Sequence, residues 1–293
     1  MTTALITMAY QDTFFLPLWI KYYAQFVDKK QIYVLIHGRD EALEEIAHGC
    51  NIINITRPEI TPQFEVNRWL MLSHFASGLT YQYDTVMYLD TDEIVFSDPT
   101  VAGNPLEFID TIDAPVISPH GFEVMHRGDL EPAPISGDKP ILAQREYARI
   151  NTAYSKPCII RKPVRWCSGG HAATHPTLHL APDLYQFHLR FVDEEMYLSK
   201  MRGRREATSD PETGEHVAGV GGANWNVTDE KAAGMIRKIR TWPISDADRL
   251  SGLRPFRMFQ KKFGEKRRNS YHFGPYYIQK KLIRLPDHIR TAF

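Results

Sequence analysis

Apolar runs of two kinds alternate along the first third of this chain of 293 residues. Short, continuously apolar runs are typical of strands that are buried on both faces, whereas longer runs with apolar residues every three or four positions are typical of helices. The strand-like runs span residues 4–10, 31–38, 51–57 and 85–96, and the helical runs span residues 14–26, 40–50 and 65–79. Strands that alternate with helices predict βαβ units. We therefore expect an α/β fold with a mostly parallel central sheet flanked by helices.

Polar residues follow three of the predicted strands at the points where those strands end. They are Tyr10–Asp12, His37–Arg39 and Asp90–Glu93. In parallel sheets, ligands bind at the carboxyl ends of the strands. These three segments are therefore expected to share one cleft, although they lie far apart in the sequence.

Three acids, Asp90, Asp92 and Glu93, interrupt the apolar stretch VMYLDTDEIVF. A buried carboxylate must be protonated, be paired with a cation or bind a metal ion, because an isolated charge is costly to remove from water. Side chains alternate along an extended chain, so Asp90 and Asp92 are expected to point to the same side. Such a pair can hold Mg²⁺ or Mn²⁺. The alternative is a solvated turn in which an aspartate caps the backbone.

Four segments together resemble glycosyltransferases of the GT-A fold, and in particular the bacterial family-2-like group. They are ITMAYQD, LPLWIKYY, YVLIHG and VMYLDTDEIVFSDP, and the likeness runs from residue 4 to residue 200. The resemblance implies a GT-A-like, Rossmann-like domain. By that likeness, Asp90 and Asp92 hold the metal or the diphosphate of a nucleotide-sugar, and Tyr10 and Asp12 line the nucleotide pocket.

The turn after the second strand departs from the pattern of that family. Many members carry Asp-Asn-Gly-Ser there, whereas this chain has Ile36-His37-Gly38-Arg39. The carboxylate that usually reads the base or the ribose is absent. His37 and Arg39 are therefore the candidate nucleotide-binding residues of this turn, and the identity of the nucleotide stays open.

Two histidines further along the chain are candidate metal ligands, since a histidine often completes the metal site in the family that the chain resembles. His171 follows a Gly-Gly turn, which lets the backbone approach a ligand closely, and His188 lies in the alternating run YQFHLRF. Arg190 shares the face of His188 and can bind phosphate oxygens in a bidentate manner. The alternative for either histidine is a hydrogen-bonded structural role.

Asp193 and Glu194 begin a segment with a helical pattern, DEEMYLSK. One of them is the candidate general base, which takes the proton of an acceptor hydroxyl group. The alternative is that these acids stabilise the first turn of the helix through its dipole. The Gly- and Pro-rich stretch 121–140 is expected to be a loop, either on the acceptor side or as a plain surface connection.

Charge is divided unequally along a chain whose net charge is zero. Residues 231–293 carry 16 basic and 4 acidic residues, which leaves −12 on the first 230 residues. We expect a catalytic domain at 1–200 and a basic, aromatic-rich extension at 201–293. Such a composition suits an anionic membrane surface or an anionic glycan or lipid-linked acceptor. The alternative is that the aromatic residues pack on the acidic part, and no nucleic-acid-binding motif is visible.

Cysteine usage and hydropathy bear on the compartment. Three cysteines without CxxC spacing indicate free thiols and a reducing environment. The first residues lack the features of a signal peptide, and no apolar run is long enough to cross a bilayer. We expect a cytoplasmic protein, peripheral to the inner face of the membrane if the extension binds lipid.

The sequence as a whole predicts a glycosyltransferase that depends on Mn²⁺ or Mg²⁺. It would move a sugar from a nucleotide-diphospho-sugar to a hydroxyl group of a glycan or glycolipid, in the synthesis of cell-surface polysaccharide. Two alternatives stay open. One is a nucleotidyltransferase on the same fold, although AYQDTFF lacks the Gly and Lys of the usual phosphate loop. The other is a non-catalytic carbohydrate- or membrane-binding protein on a transferase scaffold.

Overall fold

The structure, a computed structural model, describes residues 1–210, 212–217, 225–251, 253, 265–267, 270–272 and 277–293. The strands in these ranges are β1 (Thr3–Ala9), β2 (Ile32–His37), β3 (Asn51–Ile55), β4 (Thr85–Tyr88), β5 (Glu93–Ser97), β6 (Val116–Met125), β7 (Tyr147–Ile150), β8 (Ile159–Ile160), β9 (His179–Phe191), β10 (Ile244–Asp246), β11 (Glu265–Arg267), β12 (Ser270–His272) and β13 (Leu282–Arg284). The α-helices in these ranges are α1 (Phe15–Tyr23), α2 (Glu41–Ile46), α3 (Phe64–Leu79), α4 (Pro105–Asp110), α5 (Ile141–Gln144), α6 (Glu194–Ala207), α7 (Asp229–Thr241) and α8 (Asp287–Arg290).

Parallel strands form the half of the sheet that the N-terminal part of the chain builds. They stand in the order β3-β2-β1-β4, with β1 between β2 and β4. The short β8 pairs antiparallel with both β4 and β6, so β6 runs in the direction of β4. The sheet continues through β7, β13 and β10, and β9 pairs parallel with β6 and antiparallel with β5. The predicted α/β class, with a mostly parallel central sheet flanked by helices, is confirmed.

The central strand β1 shows why both faces of the sheet are covered by helices. All of its residues are buried. Leu5 lies in the core that includes Trp19 of α1, and its neighbour Ile6 lies in the core that includes Trp69 of α3. Because side chains alternate along a strand, neighbouring residues face opposite sides. A strand buried on both faces reads as a continuous apolar run, which is the pattern that the sequence shows.

The strand predicted over residues 85–96 is observed as two strands that the acidic turn separates. β4 ends at Tyr88, and the N–H of Glu93 donates to the carbonyl of Asp90 at 3.0 Å. β5 then runs antiparallel to β9, with Ile94 opposite Phe187. The expectation that an extended backbone places Asp90 and Asp92 on one side is therefore wrong, because the chain turns between the two strands.

Gly121, in β6, lets the segment 151–156 lie directly on the sheet. A Cβ at this position would lie 2.4 Å from the carbonyl carbon of Tyr154 and 2.5 Å from the carbonyl oxygen of Asn151. The N–H of Gly121 donates to Ser155 Oγ at 3.0 Å, and its carbonyl accepts from the N–H of Asn151 at 3.0 Å. A residue without a side chain is therefore needed here, and the close approach positions the residues that follow in the segment.

Two predicted loops are shorter than expected. The first residues of the stretch 121–140 form the buried end of β6, because alternating side chains of this segment face both cores of the sheet. The polar, Gly-rich composition of segment 202–224 predicts a mobile loop or a linker, yet its first residues continue α6 as far as Ala207. Residues 218–224 of that segment lie outside the described residues.

Part of the predicted C-terminal extension belongs to the sheet. Among the described residues, β13 pairs antiparallel with β7, and β10 pairs parallel with β13. The predicted division at residue 200 stays a prediction and falls inside α6. No helix in the described ranges is both long and apolar enough to cross a bilayer. The predicted membrane contact rests on six aromatic residues. Tyr277 is described and exposed, whereas the others lie outside the described ranges, namely Phe256, Phe259, Phe263, Phe273 and Tyr276.

Replacing Gly121 by Ala is expected to destabilise the protein, because the new methyl group would overlap the backbone of residues 151–155. Overpacking of this kind lowers the free energy of unfolding by about 1–3 kcal/mol, which urea denaturation would measure. The control is Gly78→Ala, at an exposed position of α3 where a Cβ meets nothing within 4 Å. That variant should be no less stable than the wild type. If Gly121→Ala were as stable as the wild type, the close approach of the segment 151–156 to Gly121 would be contradicted.

Candidate active site

Two lysines neutralise the acidic turn, residues Asp90–Glu93, at the end of β4. Lys156 Nζ lies 2.6 Å from Glu93 Oε1 and 3.4 Å from Asp90 Oδ2. Lys200 Nζ, from α6, lies 2.6 Å from Asp92 Oδ2. The side chains of Asp90 and Lys200 are 30% and 34% exposed, whereas the others are nearly fully buried. The positive charge that these acids require is therefore supplied by two segments distant in sequence.

Burial and pairing together set the charge of this turn. Burial disfavours the ionised form of Asp92, but Lys200 and His188 outweigh burial and hold the pKa of Asp92 well below its usual value. Burial also disfavours the charged form of Lys156, but the neighbouring carboxylates, Glu93 above all, outweigh burial and raise the pKa of Lys156. Asp92 and Lys156 are therefore charged at neutral pH.

His188 joins the acidic turn to a second buried carboxylate, that of Glu123. Its Nε2 lies 3.6 Å from Asp92 Oδ2, its Nδ1 lies 3.5 Å from Glu123 Oε1, and its ring stacks on that of Tyr154 with centroids 4.1 Å apart. Burial opposes the ionisation of Glu123, but the hydrogen bond with His188 and the charge of Arg149 outweigh burial and lower the pKa of Glu123 to about 2. The predicted site residue His188 therefore lies at the acidic turn.

Asp12 ties the loop after β1 to the acidic turn. Its Oδ1 accepts the N–H of Phe15 at 2.9 Å, at the start of α1, and its Oδ2 accepts the hydroxyl of Thr91 at 2.5 Å. The preceding residue, Gln11, has a φ of 51°, which is uncommon for a residue other than glycine. Oδ1 of the predicted nucleotide-binding residue Asp12 thus binds the start of α1, and its Oδ2 holds this loop against the turn.

An aromatic and cationic cluster occupies the carboxyl ends of β1, β2 and β3. The guanidinium of Arg57 lies 3.7 Å from the ring centroid of Tyr10, which is 47% exposed. Arg57 Nη1 lies 3.3 Å from Nδ1 of the buried His37, and the His37 ring stacks on that of Phe64 with centroids 5.4 Å apart. Because arginine has no acceptor, Nδ1 of His37 accepts this hydrogen bond. The predicted residues Tyr10 and His37 are therefore brought together.

Arg39 does not join this cluster. Its side chain is exposed, and it forms no hydrogen bond or ion pair with any other described residue. Its predicted role in nucleotide binding stays a prediction.

Two guanidinium groups lie near the acidic turn without an ion pair to a described carboxylate. Arg190 Nη2 contacts Met201 Sδ at 3.2 Å, and Arg190 Nε is buried without a hydrogen-bond partner in the described part of the chain. Arg204 follows Lys200 by one helical turn, so both side chains lie on one side of α6. Burial and then the charge of Arg190 lower the pKa of Arg204, while Asp92 acts in the opposite direction. The two arginines and the turn therefore lie in one electrostatic environment.

Asp193 and Glu194, the predicted bases, are held by other groups. Asp193 caps α6 by accepting two N–H groups of its first turn, and its Oδ2 lies 3.6 Å from Arg145 Nη2. Glu194 Oε2 lies 2.6 Å from Arg240 Nη2. Within the described residues, neither carboxylate has a hydrogen bond or ion pair with the acidic turn. Asp193 thus caps the helix, a role that the sequence analysis did not predict, and catalysis by either acid stays a prediction.

His171 contacts Tyr154, the residue whose ring stacks on that of His188. Its Nδ1 donates to the carbonyl of Ala153 at 2.6 Å, and its ring meets that of Tyr154 edge to face with centroids 6.0 Å apart. Burial and the charge of Lys156 lower the pKa of His171 to about 4. These contacts describe a histidine that secures the segment 151–156, and its predicted metal ligation stays a prediction.

The donor atoms of the turn do not fit a resident divalent ion. No group of three or more His, Cys, Asp or Glu side chains is placed to hold a metal ion in the described ranges. Asp92 Oδ2 already lies 2.6 Å from the Lys200 ammonium, and Lys156 bridges Glu93 and Asp90. A divalent ion on Asp92 would meet a like charge. The predicted Mn²⁺ or Mg²⁺ stays a prediction, and no step is derived through it.

Four residues of this site were missed by the sequence analysis: Arg57, Glu123, Lys156 and Lys200. Arg57 follows β3 directly, so the rule that placed Tyr10 and His37 at strand ends could have found it. The others carry no comparable signal, because an acid in a strand or a lysine in a loop or helix is usually a solvated residue.

No protein-family model and no curated protein sequence matches the chain. Among solved structures, the chain is similar to residues 1–349 of S. aureus TarS, with 13% identity and a TM-score of 0.37 over 71% of this chain and 65% of that one. It is also similar to a complex of the same fragment with UDP, with 12% identity and a TM-score of 0.36 over 73% of this chain and 68% of that one. A third similar structure is CMP:2-keto-3-deoxy-manno-octonic acid synthetase with CTP, with 12% identity and a TM-score of 0.27 over 44% of this chain and 55% of that one. The chain spans less than two thirds of the first of these structures, and likenesses this weak carry no argument about function.

Replacing Lys156 by Met is expected to destabilise the protein strongly, because it leaves Glu93 and Asp90 without their shared cation. Removing one partner of a buried ion pair costs about 3–5 kcal/mol of unfolding free energy, which urea denaturation would measure. The control is Arg284→Met, which breaks the ion pair between Arg284 and Glu146. The Arg284 side chain is 52% exposed. The substitution should cost less than about 1 kcal/mol. Similar losses in both variants would contradict the central position of Lys156.

His37 is expected to make stability depend on pH in a defined window. Burial and then Arg57 lower its pKa to about 4, from about 6.5 in the unfolded chain. Between these values the unfolded state binds more protons, so the free energy of unfolding falls as the pH falls, by at most about 3 kcal/mol. His37→Asn lacks this contribution. The stability gap between wild type and His37→Asn, measured in urea, should therefore narrow from pH 7.5 to pH 4.5, and a constant gap would contradict the assignment.

Proposed function

We propose that the chain is a glycosyltransferase, which moves a sugar from a nucleotide-diphospho-sugar to a hydroxyl group of a glycan or glycolipid. The observation that carries the proposal is the presence of two linked subsites at the carboxyl ends of β1–β4. One is the acidic turn with its cations, and the other is the cluster around Tyr10. The hydrogen bond from Thr91 to Asp12 joins them. A nucleotide-diphospho-sugar has the matching parts, an aromatic base and a charged diphosphate.

The cluster around Tyr10 suits a nucleobase. Its exposed ring, with Arg57 stacked against it, offers a flat surface, and stacking of a base on an aromatic side chain contributes about 1–3 kcal/mol. His37 is neutral at pH 7, and its Nδ1 accepts from Arg57, so its Nε2 carries the hydrogen. That N–H can donate to an acceptor of the base or the ribose.

Asp90 is the acid of the turn that a ligand can reach. Its side chain is 30% exposed, against 9% for Asp92 and 2% for Glu93. Asp90 Oδ1 accepts the hydroxyl of Tyr88 at 2.9 Å, which fixes the carboxylate in place. An ionised carboxylate only accepts hydrogen bonds. Asp90 is therefore assigned to hydroxyl groups of the ribose or of the transferred sugar.

The transfer itself breaks one bond and forms another. The acceptor oxygen bonds to the anomeric carbon while the bond from that carbon to the diphosphate oxygen breaks, and the bonding electrons leave with the nucleoside diphosphate. Cations near the turn stabilise the charge that develops on this leaving group. The hydroxyl proton passes to a carboxylate base, for which Asp193 and Glu194 stay the sequence-based candidates.

The acceptor side of the proposal rests on composition. A glycan or glycolipid acceptor, a role in cell-surface polysaccharide, and membrane contact through residues 201–293 follow from the basic and aromatic composition of that segment. A cytoplasmic location belongs to the same proposal.

Product analysis tests the proposed reaction. The chain is incubated with a panel of nucleotide-sugars, and the released species are separated by ion-exchange chromatography. A glycosyltransferase releases the nucleoside diphosphate. Release of pyrophosphate from a nucleoside triphosphate and a sugar phosphate would show nucleotidyl transfer instead. If neither product is released and calorimetry detects no binding of any nucleotide-sugar, the result would favour a non-catalytic protein.

Arg57→Ala is expected to weaken the binding of a nucleoside diphosphate by about tenfold, since it removes the stacked partner of Tyr10 and the donor to His37. Isothermal titration calorimetry measures the loss. Tyr81→Ala is the control, because that side chain is 82% exposed and belongs to neither subsite. If Arg57→Ala binds the nucleoside diphosphate with unchanged affinity, the base does not bind at the cluster around Tyr10.

A further inference from the structure

We propose that the chain binds the diphosphate group of its donor with its own cations, and that Lys200 supplies the charge neutralisation that the sequence assigned to a divalent ion. The inference rests on the proposed function and deepens it. Its basis is the set of cations around the acidic turn, namely Lys156, Lys200, Arg190 and Arg204.

Two of the cations at the turn have no carboxylate partner among the described residues. Lys156 and Lys200 lie within ion-pair distance of Asp90, Asp92 and Glu93, the three carboxylates of the turn. Arg190 and Arg204 add two guanidinium groups that no described carboxylate pairs. A nearby fifth cation, Arg68, is bound to Glu65 in a bidentate ion pair. The two unpaired guanidinium groups therefore remain as donors for an anionic ligand.

The cations differ in whether a ligand can reach them. The Lys156 side chain is 6% exposed and lies between two carboxylates, so it serves the turn. The Lys200 side chain is 34% exposed, and Asp92 is its one carboxylate partner among the described residues. Its ammonium has three donors, so hydrogens beyond the one given to Asp92 remain for a phosphate oxygen. Arg204 lies on the same side of α6, one turn further on.

Asp92 is best understood as the residue that positions Lys200. Asp92 Oδ2 receives the Lys200 ammonium at 2.6 Å, and His188 approaches the same oxygen from the other side at 3.6 Å. A charge that is held in place before a reaction stabilises a leaving group without reorganisation. Asp92 would thus orient a lysine, whereas the resemblance implied that it holds a metal ion.

Calorimetry with inorganic pyrophosphate tests the inference on the full chain. Titrations are run with EDTA and with Mn²⁺, on the wild type, Lys200→Met, Lys200→Arg, Arg204→Met and the control Lys21→Met, an exposed lysine of α1. Mn²⁺ binding alone is followed by electron paramagnetic resonance. Thermal unfolding establishes that each variant is folded.

The wild type should bind pyrophosphate in EDTA. Lys200→Met and Arg204→Met should each weaken that binding by about tenfold or more, the usual loss for a hydrogen bond to a charged group. Lys200→Arg and Lys21→Met should keep it. Lys200→Met should also gain affinity for Mn²⁺, because Asp92 loses its ammonium. If Lys200→Met does not fold, Arg204→Met and Lys200→Arg carry the test.

Three results would overturn the inference: pyrophosphate binding by the wild type only with Mn²⁺, Mn²⁺ affinity that is equal in the wild type and Lys200→Met, or full pyrophosphate affinity in Arg204→Met. A nucleoside diphosphate that binds only with Mn²⁺ would likewise overturn it and leave the proposed function standing. If the chain binds pyrophosphate without a metal ion but binds no nucleoside diphosphate, the proposed function would be overturned and the inference about the cations would stand.

Discussion

The buried ammonium group of Lys156 is the interaction on which the rest of the site depends. It lies between the buried Glu93 and the partly exposed Asp90, 5.9 Å from the centroid of the Trp69 ring. A buried ion pair adds little net stability, but removing one partner is costly. The acidic turn can therefore keep its charge only when the segment that carries Lys156 lies on the sheet, and Gly121 makes that approach sterically possible.

Strand register explains how the charged residues come together. Glu93 of β5 and Glu123 of β6 are both opposite His188 of β9, because β9 pairs antiparallel with one strand and parallel with the other. The imidazole therefore lies in a row with carboxylates on either side, and Tyr154 covers its face. The Glu123 carboxylate of this row also accepts hydrogen bonds from Arg149 and Asn151, which compensate for its burial.

Under the proposed function, the two subsites would divide the recognition of a nucleotide between shape and charge. Tyr10 and His37 offer stacking and one N–H donor, whereas Lys200 and Arg204 offer charge. The loop after β1 joins the two because Asp12 accepts the hydroxyl of Thr91 inside the acidic turn. A displacement of this loop would move both subsites, so the fold keeps base recognition and diphosphate recognition in register.

The sequence by itself determined the alternating strands and helices of the first 96 residues and the gathering of Tyr10, His37 and the acidic turn at one edge of the sheet. Periodicity and strand ends are local properties, so they can be read without coordinates. It also indicated that a helix begins near Asp193 and Glu194, because acids at the start of a helix are a local signal. Only the tertiary structure decided which cations face the acids. Lys156 and Lys200 come from distant segments, and their positions depend on the pairing of β4, β8 and β9 and on the close approach at Gly121. Long-range register of this kind leaves no trace in local spacing, and for that reason the acids pointed to a metal ion where the fold places lysines.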